Sequence, residues 1–145
     1  CQAGGNFFVS GAYVASDLWD NRLVKANEED KKFAMEVLKY KWRVGQAARN
    51  GKVKSVASPF PEITGSYTYY QDLNPESYVV ESPDALEPAA QGAFTILRYS
   101  ENNLSAGIAY KGNYKTCVLG FPFEAIRTVT ERELLMKAIL TFFEH

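Results

Sequence analysis

Side chains that could bind or transform a ligand stand at the ends of two apolar runs. One run leads into Ser10 and Gly11, and the other leads into Phe123 and Glu124. Open α/β sheets hold their ligands at the carboxyl ends of strands. We therefore expect any pocket in this chain to be rimmed by these two strand ends.

The polar residues near these ends have both a chemical and a structural interpretation. Ser10 could bind a ligand or act as a nucleophile, or its hydroxyl could close the turn through an internal hydrogen bond. Asp17 could contact a polar ligand or cap a short helix. Glu124 could serve in binding or acid–base chemistry, or it could accept hydrogen bonds from backbone amides and pin the corner. Arg127 could pair with one of these carboxylates.

The titratable residues limit the reactions open to the chain. Glycoside hydrolysis needs two acids about 5 to 10 Å apart, and Asp17 with Glu124 is the pair that we nominate. Asp84 follows Pro83 and is interpreted as a turn residue. The single histidine is His145, whereas serine and cysteine hydrolases usually need a histidine base. We therefore expect no histidine-based triad, no histidine-rich metal site and no cofactor.

The composition is that of an ordinary globular domain. Of the 145 residues, 46% are hydrophobic and 23% are charged, which suffices for one core within a single domain spanning residues 1–145. Sixteen basic and seventeen acidic residues give a formal net charge of −1, so we expect no nucleic-acid partner. No apolar run is long enough to span a membrane.

Two helices are predicted from capping signals. Asn27 is a predicted N-cap, and the helix that follows continues through Phe33 and Val37 to Tyr40. Near the end of the chain, Thr130 and Glu133 have the spacing of a capping box. The apolar residues after them recur at helical spacing, so this second helix is expected to lie on the sheet.

Strands are predicted from apolar runs and the turns between them. Asn50 and Gly51 separate two alternating runs and predict a β-hairpin. Residues 78–80 are predicted to form a short strand. Three further runs, at residues 93–99, 105–110 and 114–121, are joined by short turns and are therefore expected to be antiparallel neighbours.

The two cysteines leave the redox compartment open. Cys117 lies within an apolar run and is expected to be a buried thiol that behaves as a small hydrophobe. A disulfide between Cys1 and Cys117 is compatible with the sequence, which does not decide it.

Three segments in this order resemble a known family. They are residues 4–11 (Gly-Gly-Asn-Phe-Phe-Val-Ser-Gly), residues 78–84 (Tyr-Val-Val-Glu-Ser-Pro-Asp), and residues 117–126, which contain the corner Gly-Phe-Pro-Phe-Glu and precede the last helix. Together they resemble the glutamine-amidotransferase-like, flavodoxin-type domain of large secreted proteins of Bacteroidetes-type bacteria. Those proteins are often labelled xanthan lyases. The resemblance covers nearly the whole chain, and the Gly-Phe-Pro-Phe-Glu corner is its most specific part.

This resemblance implies an α/β fold: a three-layer flavodoxin or class I amidotransferase-like sheet with an antiparallel β extension. In that family the Gly-Gly-Asn strand lies well inside the domain, so the chain is expected to be the carboxyl-terminal part of a longer domain. Class I amidotransferases use a cysteine on a strand-to-helix elbow and a downstream histidine. Neither motif is present in this sequence, and amidotransferase activity is therefore not expected.

The resemblance also implies a role and a location. We expect a non-catalytic α/β module of a secreted, periplasmic or cell-surface protein that supports polysaccharide binding or processing. The alternative is a carbohydrate-active lyase or hydrolase with its site at Ser10, Asp17 and Glu124. If strands before Phe7 are missing, a neighbouring domain or second chain must cover the edge at residues 7–9. Carbohydrate is the ligand class that the resemblance suggests.

Overall fold

The computed structural model describes residues 3–20, 22 and 27–145. In chain order its elements are β1 (Phe7–Ser10), α1 (Ser16–Trp19), α2 (Glu28–Phe33), a π-helical turn (Ala34–Leu38), β2 (Tyr40–Val44), β3 (Lys52–Ser55), β4 (Ser66–Thr68), β5 (Ala85–Pro88), β6 (Ala93–Tyr99), β7 (Ser105–Lys111), β8 (Lys115–Leu119), a 3-10 turn (Phe123–Ala125) and α3 (Val129–Glu144). Among these residues no helix is long and apolar enough to cross a bilayer.

The strands form one mixed sheet and one small sheet. The larger sheet has the order β1-β8-β7-β6-β3-β4, and the smaller one pairs β2 with β5. Strand β1 runs parallel to β8, whereas the other neighbours in both sheets are antiparallel. This combination of a mixed sheet with helices makes the chain an α/β protein, which confirms the general fold class expected from the sequence.

The meander β6–β7–β8 confirms the prediction of three antiparallel neighbours. Ala109 lies opposite Cys117 in the β7–β8 ladder, and Lys111 lies opposite Lys115 close to the turn. The turns between these strands are too short for a crossover, so the chain can only reverse. The last strand is shorter than the predicted run over residues 114–121, because it ends at Leu119.

The predicted hairpin at Asn50 and Gly51 is wrong. Gly51 does adopt a positive φ of 64°, as a tight turn requires. The flanking strands nevertheless belong to different sheets, because β2 pairs with β5 while β3 lies between β4 and β6. The predicted strand at residues 78–80 is wrong as well: Val80 donates one backbone hydrogen bond to Tyr70 (3.1 Å), but no ladder forms there.

The first predicted helix begins as expected and ends early. The Asn27 side chain accepts a hydrogen bond from the Glu29 amide (3.0 Å) and caps α2. The helical segment stops at Leu38 because Lys39 turns the chain with a φ of 68°. Tyr40 therefore begins a strand rather than continuing the helical stripe. It is still buried, and its hydroxyl donates to the Val14 carbonyl (2.6 Å).

Both faces of the larger sheet are covered. On one face, α3 lies against the sheet with Leu135 and Ile139 buried, and the Phe142 ring stacks on Phe60 with 4.4 Å between centroids. On the other face, Ile108 and Val118 contact a separate cluster. That cluster comes from the helical segments after β1 and from the small sheet. Strands β7 and β8 are thus buried on both sides, which explains their continuous apolar sequence.

The cap of α3 lies two residues before the predicted capping box. Thr128 is the N-cap: its hydroxyl accepts from the Glu131 amide (3.1 Å) and donates to the Glu131 carboxylate (2.7 Å). The other Glu131 oxygen accepts from the amide of Thr68 in β4 (3.1 Å). The predicted box at Thr130 and Glu133 is therefore wrong, because this contact with β4 favours Glu131 as the residue facing the sheet.

We predict that Thr128→Ala lowers the free energy of unfolding by about 1 kcal/mol, because the substitution removes the N-cap hydrogen bond. The matched substitution Thr130→Ala changes an exposed residue in the first turn and is expected to be neutral or slightly stabilising, since alanine has the higher helix propensity. Urea unfolding of the two variants measures the difference. Equal losses, or a larger loss for Thr130→Ala, would restore the predicted capping box.

Candidate functional site

The two strand ends singled out by the sequence lie side by side. Because β1 and β8 are parallel neighbours, their carboxyl ends meet at one edge, where the Gly11 amide donates to the Leu119 carbonyl (3.3 Å). The Ser10 hydroxyl accepts from the Phe123 amide (3.2 Å). Phe123 packs edge-on against Phe8 with 5.9 Å between ring centroids. The serine hydroxyl therefore joins the two strand ends, which is the structural role considered for it.

The remaining candidates are spread around this edge. The Glu124 carboxylate accepts from the Tyr78 hydroxyl (2.7 Å). Arg127 lies 3.7 Å from the Asp72 carboxylate. Asp17 is exposed in the first turn of α1, and that helix has no side-chain cap. The capping role considered for Asp17 is therefore wrong, because the N-cap position belongs to a preceding alanine.

One surface cavity gathers half of the predicted site. It has a volume of about 310 Å³, and its lining comprises Tyr70, Glu76, Ser77, Phe123, Glu124, Arg127 and Arg132. The predicted residues Ser10, Gly11 and Asp17 do not line it. The carboxylate pair nominated for glycoside hydrolysis is therefore not brought together in this cavity.

The groups in this cavity carry both signs of charge. The Arg127 guanidinium lies over the Tyr70 ring at 5.4 Å from its centroid, and Arg132 donates to the Ile126 carbonyl. Burial, with the Glu124 carboxylate adding to it, raises the pKa of the Tyr78 hydroxyl above its usual range. Tyr78 lies outside the lining of this cavity and is connected to it through its hydrogen bond to Glu124.

A second group of polar residues lies beneath the surface and was not predicted. Asp84 is fully buried and lies outside any turn, directly before β5, so its interpretation as a turn residue is wrong. Its Oδ2 atom accepts from the amides of Ala15 and Ser16 (2.8 Å each) and from the Ser16 hydroxyl (3.2 Å). The carboxylate thus holds the chain at the start of α1, where backbone amides have no partner within the helix.

The backbone of Asp84 is held as tightly as its side chain. Its amide donates to the Gly120 carbonyl (2.7 Å), and its own carbonyl accepts from the Tyr99 hydroxyl (2.7 Å). A Cβ atom on Gly120 would overlap the Asp84 carbonyl oxygen. The glycine of the Gly-Phe-Pro-Phe-Glu corner is therefore required by this close backbone approach. A glycine directly after an apolar strand is the sequence signal that could have indicated a close backbone contact here, although not its partner Asp84.

The second carboxylate oxygen of Asp84 differs from the first in its hydrogen bonding. Its Oδ1 atom is buried and has no hydrogen-bond partner among the described residues. A Cβ atom built on Gly45 would lie 3.6 Å from Oδ1 and 3.7 Å from Ser82 Oγ, and the Ser82 hydroxyl accepts from the Gln46 amide (3.3 Å). Beside these residues lies a cavity of about 350 Å³, lined by Tyr13, Ser16, Asp20, Arg22, Gly45, Gln46 and Ser82.

Asp20 and Arg22 form a closed ion pair on the wall of this cavity. Arg22 donates from Nε to Asp20 Oδ1 (2.9 Å) and from Nη2 to Oδ2 (2.7 Å). These hydrogen bonds lower the pKa of the Asp20 carboxyl. Because the guanidinium is used on both carboxylate oxygens, it neutralises Asp20 locally.

Burial raises the pKa of the Asp84 carboxyl to about 6, against the effect of the hydrogen bonds from Ser16 and Ala15. The nearby carboxylate of Asp17 adds a smaller upward contribution. Burial, and then the charge of Asp84, also raises the pKa of Tyr40. Asp84 is therefore the carboxyl of this region whose charge changes closest to neutral pH.

The remaining residues considered for chemistry are the two cysteines and the groups that could bind a metal ion. Cys117 is buried, and burial raises the pKa of its thiol; such a thiol is unreactive. Cys1 lies outside the described residues, and so does the disulfide considered for it. Within residues 3–20, 22 and 27–145, no cluster of three or more histidine, cysteine, aspartate or glutamate side chains could hold a metal ion.

Fold and site together define an α/β protein with a mixed sheet, a surface cavity beside the corner that follows β8, and one buried carboxylate near a second cavity. Comparison of the chain with protein-family models, with curated proteins and with solved structures finds no match. The family suggested by the sequence therefore stays a prediction.

We predict that ionisation of Asp84 destabilises the fold. Its folded pKa of about 6 exceeds the ordinary value of 3.8, so the folded state holds its proton more tightly than the unfolded state. The free energy of unfolding should fall by up to about 3 kcal/mol as the pH rises from about 4 to above 6.

The contribution of Asp84 is isolated by comparing wild type with Asp84→Asn in urea unfolding across this pH range. The asparagine carbonyl can still accept from Ala15 and Ser16, so the variant should lack this decline and gain stability relative to wild type at neutral pH. Parallel pH profiles for the two proteins would contradict the raised pKa.

Proposed function

We propose that this chain is a non-catalytic α/β module of a secreted, periplasmic or cell-surface bacterial protein. It supports polysaccharide binding or processing by a neighbouring domain. We propose further that its fold is flavodoxin-type and amidotransferase-like, without amidotransferase activity. The residues that resemble that family support this assignment, and so does the parallel pairing of β1 with β8, because parallel neighbours are the basic unit of such sheets.

The single observation that carries the proposal is the open edge at β1. This strand is the last one in the sheet order, and no described residue pairs with its second side. The Gly11 amide points toward β8, where it donates to Leu119. Because the backbone groups of successive strand residues point in opposite directions, the N–H and C=O groups of Phe8 and Ser10 point away from β8, to the open side. Exposed groups of this kind can pair with a strand of another segment unless charges, prolines, bulges or a covering loop protect the edge. A neighbouring domain or second chain is the partner that we propose for this edge.

The hydrogen bonds at the strand ends support a structural role. Ser10 holds the Phe123 amide, and Glu124 holds the Tyr78 hydroxyl. A nucleophilic serine needs a base within hydrogen-bonding reach, whereas this serine accepts from a backbone amide. The polar groups that an enzyme would use are thus part of the packing between β1, β8 and the corner that follows.

One observation favours the alternative, a carbohydrate-active lyase or hydrolase. Arg127 and Arg132 line the same cavity as Glu124, with the Tyr70 ring beside them. Arginine pairs well with carboxylates, and aromatic rings are suited to sugar faces. This cavity could therefore hold an acidic sugar. The same features also serve a binding module, and the difference between the two functions is whether the sugar is cleaved.

We predict that neither Ser10→Ala nor Glu124→Gln alters any cleavage of acidic polysaccharides by the chain. Ser10→Ala should lower the free energy of unfolding by about 1 kcal/mol, because the Phe123 amide loses its acceptor. Glu124→Gln keeps an acceptor for Tyr78 and should change stability little. The assays are product release from an acidic polysaccharide and thermal unfolding of each variant. Activity that is detected in wild type and abolished in a folded variant would favour the enzyme.

We also predict that the isolated chain associates through β1. Its melting temperature should rise with protein concentration, and Phe7→Lys should abolish this dependence, because a lysine at an open edge opposes strand pairing. Phe7 is 42% exposed, so the substitution leaves the core intact. Leu73→Lys, at a position that is 95% exposed, is the control with the same added charge. A sharp melt of a monomer at every concentration would count against the proposed edge partner.

A further inference from the structure

A third surface cavity lies where the small sheet meets strands β6 and β7. Its volume is about 430 Å³, which is within the range of cavities that hold small molecules. Strand β2 contributes Lys41 and Arg43 to its lining, β5 contributes Glu87, and β6 contributes Arg98. These are the charged residues of the lining. Three basic side chains against one carboxylate leave a formal excess of two positive charges.

The carboxylate of Glu87 interacts with two of the three basic groups. Its Oε1 atom accepts from Arg43 Nη1 (2.7 Å), and its Oε2 atom lies 3.5 Å from Lys41 Nζ. The hydrogen bond from Arg43 lowers the pKa of the Glu87 carboxyl, so this group is charged at neutral pH. All three side chains are partly exposed. Ion pairs of this kind are weak, so an anionic ligand can compete with Glu87 for both cations.

Arg98 is the basic group of the lining without an acidic partner. It is partly buried, and its Nη1 atom donates to the Asn103 carbonyl (2.8 Å). Among the described residues no carboxylate forms an ion pair with its guanidinium. Because a guanidinium carries five N–H donors in a fixed plane, the donors on its other nitrogens are available to a ligand in the cavity.

An irregularity in β6 accounts for the position of Arg98. Residues three positions apart on a regular strand point to opposite faces of the sheet, yet Thr95 and Arg98 both line this cavity. The register between β6 and β7 shifts between these two residues, and Ile96 has no residue paired opposite it. Bulges of this kind re-aim side chains and are over-represented beside active sites. The fold thus departs from a regular ladder where it turns Arg98 toward the cavity.

We propose that this cavity binds a small phosphate monoester, with its phosphoryl group bound by Arg98 and facing Lys41 and Arg43. A phosphate monoester carries a charge of about −1.5 to −2 at pH 7, which matches the excess in the lining. The planar fork of an arginine fits phosphate oxygens, and a lysine adds a point charge. A carboxylate would neutralise only one of the two excess charges, and a neutral sugar would neutralise neither. The inference is independent of the role proposed for the edge at β1.

The probe for this site is glucose 6-phosphate, with glucuronate as the singly charged sugar and glucose as the neutral one. At pH 7 and matched ionic strength, calorimetric titration should show saturable binding of glucose 6-phosphate. Glucuronate should bind about tenfold more weakly or worse, because it forms fewer charged hydrogen bonds, and glucose should not saturate the chain. No saturable binding of glucose 6-phosphate, or equal binding of glucuronate, would overturn the proposal.

Glu87→Gln tests the site through a gain of binding. The substitution removes the carboxylate that competes for Lys41 and Arg43, so glucose 6-phosphate should bind about threefold more tightly or better. A folding defect cannot produce this result. Glu133→Gln removes one exposed carboxylate on α3, outside this lining, and is the control with the same change in net charge. An equal gain in both variants, or none in Glu87→Gln, would contradict the proposal.

Arg98→Gln tests the residue that is expected to bind the phosphoryl group. It should weaken binding of glucose 6-phosphate about tenfold or more, because it removes charged hydrogen bonds. Arg49→Gln changes an exposed arginine outside the lining and is the matched control, with binding nearly unchanged. Unchanged binding in folded Arg98→Gln would overturn the proposal. If Arg98→Gln fails to fold, Glu87→Gln still decides the question, because its expected result is tighter binding.

Discussion

The close approach of Asp84 to Gly120 is the constraint on which the other parts of the structure depend. One backbone hydrogen bond joins the two residues, and the Tyr99 hydroxyl donates to the carbonyls of both. Through this contact the segment before β5 is fixed against the end of β8. The Asp84 side chain then fixes the start of α1. One residue thus connects both sheets with the helical segment that follows β1.

This constraint explains how the sheet can be covered on both faces. Strands β7 and β8 place alternate side chains on opposite sides, with Ala109 and Cys117 toward α3 and Ile108 and Val118 toward the small sheet. The small sheet has only two strands, and an isolated pair is marginally stable. Its strand β5 begins directly after Asp84, so the anchored backbone holds the second layer against the first.

Local signals in the sequence predicted local structure well. The Asn27 cap and the meander over β6, β7 and β8 depend on residues that are near one another in the chain, and both are present. The predicted hairpin failed because Gly51 sets only the turn, whereas the partners of β3 are chosen by burial against β4 and β6. The cap of α3 was misplaced by two residues because Glu131 has a partner, Thr68, that is distant in sequence.

Contacts between residues that are distant in sequence also limit how much of the two sites could be predicted. The adjacency of the two strand ends follows from a pattern that repeats in α/β sheets. The buried environment of Asp84 does not, because its partners Ser16 and Gly120 lie 68 and 36 positions away along the chain. Beside Pro83, an aspartate is usually a turn residue. Only the tertiary contacts show that this one is buried with a single oxygen satisfied.

The polar groups at the corner after β8 and the buried carboxylate of Asp84 have opposite effects on the stability of the fold. Ser10 and Glu124 each complete a hydrogen bond that stabilises the corner after β8, so the fold alone accounts for their presence. The charge of Asp84 is not explained in this way, because its anchoring role needs only an acceptor and its ionisation opposes folding. Its Oδ1 atom is enclosed as well as unpartnered among the described residues, so ionisation lowers stability with no compensating hydrogen bond at that oxygen.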